Sequence, residues 1–78
     1  MTDRETQLQH LEEAERHVAL GERHIADQER RIAELCRGGH DATSARSLLD
    51  LFRDMQVQHV AYRDILREQL GRKPAFPS

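Results

Sequence analysis

A Glu-Arg-(His or Arg)-(Val or Ile)-Ala pattern recurs three times at seven-residue intervals, beginning at Glu15, Glu22 and Glu29. A seven-residue period specifies a helix with a seam, because 3.5 residues per turn keeps one stripe facing a partner. With Leu11, Val18, Ile25 and Ile32 at heptad position a, position d holds Ala14, Gly21, Gln28 and Leu35. Glu15, Glu22 and Glu29 then stand at e, and His10, His17, His24 and Arg31 at g. Residues at e and g flank the seam, where charge pairs set partner and orientation.

The ends of this helix are also legible. Thr2 followed by Glu5 is a capping-box pattern, and Asp3 suits the positive end of the helix dipole. The helix is expected over about 3–37, a rod of ~50 Å. Gly38 is expected to supply the positive φ of a helix C-terminus, with Gly39 loosening the chain further. A turn follows over 38–42. Asp41 or Thr43 caps a second helix, expected over about 43–70. Gly71 and Pro74 end it, and 71–78 reads as a flexible tail.

The apolar stripe expected on the second helix is Ala45, Leu48, Phe52, Met55, His59, Tyr62, Leu66 and Gln69. A tight hairpin centred near residue 40 pairs residues whose numbers total about 80. The two stripes meet that condition: Leu35 with Ala45, Ile32 with Leu48, Gln28 with Phe52, Ile25 with Met55, Gly21 with His59, Val18 with Tyr62, Ala14 with Leu66 and Leu11 with Gln69. Small residues stand opposite large ones, so Gly21 reads as a gap for a bulky neighbour. The fold class is all-α, an antiparallel helical hairpin in one domain spanning 1–78.

Two helices share one seam, and the second helix carries more apolar residues than that seam uses. Leu49, Leu51, Val57, Ile65 and Leu70 are the expected interface with another copy. Soluble monomers avoid long exposed apolar strips. A chain of 78 residues with 33% charged and 37% hydrophobic residues buries only ~60% of its unfolded surface. A twofold-related second hairpin completes a four-helix bundle, so a homodimer or higher oligomer is expected, with another protein as a further partner class.

Composition removes several chemistries. One cysteine excludes an internal disulfide and a Cys-based zinc site within the chain. Net charge −2 argues against a generic polyanion binder. No apolar run approaches ~18 residues and no signal-peptide core is present, so no membrane partner and a cytoplasmic location are expected.

The five histidines are the residues that invite a chemical role. His10, His17 and His24 lie one heptad apart, ~10 Å of rise, too far for two of them to share an ion. His17, His24 and His59 are the candidate metal ligands, and any ion needs ligands from two helices. Helical His-x-x-x-His and Glu-x-x-His spacings are absent. Seam-flanking His and Glu pairs read instead as partner-setting charges, which makes assembly mildly pH-dependent. His59 in the seam reads as a hydrogen-bonded register-setter, with a proton-linked switch as the sharper alternative. His40 stands in the Gly39–Asp41 turn, and Cys36 beside it reads as structural. No nucleophile, base and pocket converge, so neither catalysis nor a resident cofactor is expected. Arg16, Arg23 and Arg30 stripe the outer face of the first helix. Glu12, Glu13, Asp27 and Glu34 beside them turn that face into a solvated zwitterion, which weighs against nucleic acid.

The segments AERHVALGERHIADQERRIAEL (Ala14–Leu35), GHD (Gly39–Asp41) and ARSLL (Ala45–Leu49), with Gln58-His59, Arg63 and Leu66, carry a resemblance. Together they resemble a group of small proteobacterial helical proteins that have no assigned activity. That resemblance implies a bacterial cytoplasmic origin and a helical hairpin, and it carries no catalytic residue across. The expected role is a structural or protein–protein interaction module. A metal- or cofactor-binding bundle and a small RNA-binding four-helix dimer are the alternatives.

Overall fold

The computed structural model describes residues 3–71. Two helices, α1 (Asp3–Arg37) and α2 (Thr43–Gly71), pack against each other as an antiparallel hairpin. Asp3 and Glu5 sit in the first turn of α1 and Arg37 in its last, both matched to the helix dipole. Gly71 is the last residue of α2 rather than a stop outside it. The Thr2 cap, the Pro74 stop and the expected tail from residue 72 onward lie outside the described residues.

The turn closes α1 by a specific exchange of hydrogen bonds. The His40 N–H donates to the Leu35 carbonyl at 2.9 Å, and the Gly39 N–H donates to the Cys36 carbonyl at 3.1 Å. This pairing is the Schellman motif, which needs a left-handed residue between its two ends. That residue is Gly39, with φ 72°, and not Gly38 as the sequence suggested. A Cβ on Gly38 would instead stand 2.9 Å from Cδ2 of the His40 ring.

Asp41 then starts α2. Its Oδ1 accepts from the Thr43 N–H at 2.9 Å and from the Thr43 hydroxyl at 2.6 Å. The Thr43 hydroxyl, then its N–H, and then the charge of Arg46 hold the Asp41 carboxyl below its ordinary value of 3.8. A lowered folded-state pKa stabilises the fold above the unfolded value, and the contribution is lost as pH falls through the folded one. Asp41→Ala is therefore expected to lower the melting temperature by a constant amount between about pH 5 and 8. Below about pH 4 that difference should shrink toward zero, as read by circular-dichroism melts.

Ala14, Val18, Ala42, Leu49, Leu66 and Gln28 are buried. On α2 the stripe that faces α1 runs through Ala45, Leu49, Phe52, Gln56, His59, Val60, Arg63, Leu66 and Leu70, all buried or half-buried. It shares Ala45, Phe52, His59 and Leu66 with the stripe expected from sequence. Leu48, Met55 and Tyr62, expected in the seam, are exposed, and so is Gln69.

This phase brings the small residues Ala14, Gly21 and Ala45 into the seam, and carboxamides reach across it to main-chain carbonyls. Gln28 Nε2 donates to the Ala45 carbonyl at 2.9 Å, and Gln56 Nε2 donates to the Val18 carbonyl at 2.9 Å. A Cβ on Gly21 would collide with the Gln56 carboxamide, standing 2.7 Å from its Cδ. Gly21 therefore faces Gln56 and not His59. Along one edge of the seam facing residues total 76 or 77, as in His17 with His59, His24 with Phe52, and Gly21 with Gln56, and along the other Arg53 with Glu29 and Arg67 with Glu15 total 82. These totals bracket the expected 80, so the register agrees with it to within one turn.

Candidate functional site

The two edges of the seam differ in chemistry. On one edge, ion pairs join the helices: Arg53 with Glu29 at 3.3 Å and Arg67 with Glu15 at 2.9 Å. Ile25, Arg53, Gln56, Val57 and Val60 line a shallow depression there. The other edge holds a groove of about 230 Å³ with a mostly apolar lining. Its walls are His17, Leu20 and His24 from α1 and Phe52, Met55 and His59 from α2, and Gly21 and Gln56 also line it. The His17 and His59 ring centroids are 5.6 Å apart with the planes tilted by 56°, and the His24 and Phe52 centroids are 5.8 Å apart.

Beyond this groove, α2 presents a second heptad stripe to solvent: Leu48, Leu51, Met55, Gln58, Tyr62 and Ile65. Its five large apolar or aromatic members are 40–53% exposed. This stripe lies about 100° around α2 from the stripe that meets α1, at 100° per residue. Two buried faces roughly a right angle apart are what each helix of a square four-helix bundle presents to its two neighbours.

The residues expected at an interface divide three ways. Leu51 and Ile65 belong to the exposed stripe. Leu49 and Leu70 are corrected: Leu49 is buried and Leu70 half-buried on the stripe that meets α1. Both were assigned outward because the expected phase of α2 was one residue off. Val57, 69% exposed, stands beside the shallow depression on the opposite edge. Of the seam set on α1, Ala14, Val18 and Gln28 are buried, and Leu11, Gly21, Ile25 and Ile32 are half-buried. Leu20 went unrecognised as a wall of the groove, although its place three residues after His17 was the available signal.

Among the metal candidates, His17 and His59 come together and His24 lies against Phe52. Among the described residues no group of three or more His, Cys, Asp or Glu side chains is placed to hold one ion. Cys36 is an exposed free thiol, and Arg46 Nη2 donates to its Sγ at 3.4 Å. Arg16 and Arg23 are exposed, and Arg30 pairs with Asp27 at 3.4 Å.

No protein-family model, curated protein or solved structure matches the chain. Among the described residues no helix is long and apolar enough to cross a membrane.

Proposed function

We propose that this protein is a self-associating helical hairpin with a structural or protein-interaction role. The observation that carries the reading is the exposed heptad stripe of α2, with Leu48, Leu51, Met55, Tyr62 and Ile65 all at least 40% exposed. By the sequence resemblance, the setting proposed is the bacterial cytoplasm.

Thermal unfolding followed by circular dichroism tests this reading. When two folded chains are held together and unfold apart, the midpoint depends on protein concentration. The midpoint is expected to rise by several degrees between about 1 and 100 µM chain. An invariant midpoint would remove the proposal. A second reading, a metal- or cofactor-binding bundle, draws on the meeting of His17 with His59. Metal analysis and an absorption spectrum of the purified protein separate it from the first.

A further inference from the structure

We infer that the second copy docks on the His17–Leu20–Met55 face, antiparallel, with α2 lying on α2 and α1 on α1. This inference rests on the self-association just proposed and names its geometry. The exposed stripe of α2 is a palindrome in character. Around a twofold axis between Met55 and Gln58, Leu48 meets Ile65 of the second copy, Leu51 meets Tyr62, and Met55 meets Gln58. Each layer then joins a heptad a residue to a d residue, as antiparallel coiled coils require.

In this register Asp54 is level with His59 of the copy, and on α1 the same axis sets Glu13 level with Asp27 of the copy. The other helix supplies an independent check. The axis crosses α2 between residues 56 and 57, and Gly21 lies level with Gln56. The axis therefore crosses α1 next to Leu20, which meets Leu20 of the copy. Leu20 is the large aliphatic side chain on that face of α1 and is 48% exposed. The remaining groove wall of α1 brings His17 toward His24 of the copy around that Leu20 pair.

The rival face-to-face arrangement lays α2 on α1 of the copy. It would cover the apolar stripe with His17, His24 and Asp27, and desolvate those polar groups against aliphatic carbon. A copy seated on the opposite edge would cover Arg53 and Arg67 with their partners Glu29 and Glu15, and leave the apolar stripe wet. Isologous contact of like with like is the remaining solution.

Disulfide trapping tests the geometry in a Cys36→Ser background. Disulfides form only where Cα atoms come within about 7 Å. Leu51→Cys chains mixed with Tyr62→Cys chains are expected to yield mostly linked heterodimer on mild oxidation. Neither variant alone should link to itself, and Leu20→Cys alone should link. Self-linking by Leu51→Cys would mean parallel packing and overturn the inference. Sedimentation at twice the chain mass with no linkage in any combination would also overturn it, leaving self-association intact. Sedimentation of the unsubstituted protein as a monomer would overturn both.

Discussion

Leu49→Ala and Leu66→Ala are each expected to lower the free energy of unfolding by about 2–4 kcal/mol, the range for removing a buried leucine side chain. Both side chains are buried between α1 and α2. A hairpin with so few buried side chains has little margin, since total stabilities of domains lie near 5–15 kcal/mol. Val57→Ala, on an exposed side chain, should change stability by no more than about 0.5 kcal/mol. Urea titrations followed at the helical band read all three. The comparison with Leu48→Ala at high dilution decides the phase of α2. If Leu48→Ala costs as much there as Leu49→Ala, α2 faces α1 through Leu48, Met55 and Tyr62 and the described packing is wrong.

Gly21→Leu is expected to be the most damaging substitution on α1. It forces a side chain into space occupied by the Gln56 carboxamide, and overpacking of this kind costs about 1–3 kcal/mol. It also breaks the bond from Gln56 Nε2 to the Val18 carbonyl, worth about 1 kcal/mol. Gly21→Ala is a finer probe, because two effects of similar size oppose each other. Alanine gains about 1 kcal/mol of helix propensity over glycine. Against that, its methyl group displaces Gln56. The net change should be near zero in the native background. With Gln56→Ala also present, Gly21→Ala should become stabilising by about 1 kcal/mol, the propensity gain alone. An equal effect of Gly21→Ala in both backgrounds would show that Gln56 does not fill the glycine gap. Gln56 Oε1 is buried without a hydrogen-bond partner, so the carboxamide is held by one bond and by that gap.

The sequence made some features easy to read and hid others for definite reasons. On α1 the repeat is regular, with aliphatic residues at one heptad position and Ala14, Gly21, Gln28 and Leu35 at the other. Only one stripe was available, and the structure places Ala14, Val18 and Gln28 of that stripe in buried positions. On α2 two adjacent phases are both apolar and share Ala45, Phe52, His59 and Leu66. Apolar content favours Leu48, Met55 and Tyr62 over Leu49, Gln56 and Arg63. The phase adopted is instead the one with glutamine side chains bonding to the backbone of the facing helix, which periodicity does not encode. The same one-residue error moved Leu49 and Leu70 from the seam to the supposed interface. Leu51 and Ile65 were identified as surplus apolar residues because neither phase uses them. At the turn, two consecutive glycines left the site of positive φ open. The bond from His40 to Leu35 assigns it to Gly39.

The hairpin hides one apolar edge between its helices and leaves a second for a copy of the chain, and sedimentation equilibrium reads the second directly. At about 50 µM the protein is expected to sediment at twice its chain mass of 9.1 kDa. Leu51→Glu combined with Ile65→Glu should sediment at the single-chain mass. A wild-type protein that sediments as a single chain while retaining full helicity and a cooperative melt would mean that no copy covers the exposed stripe.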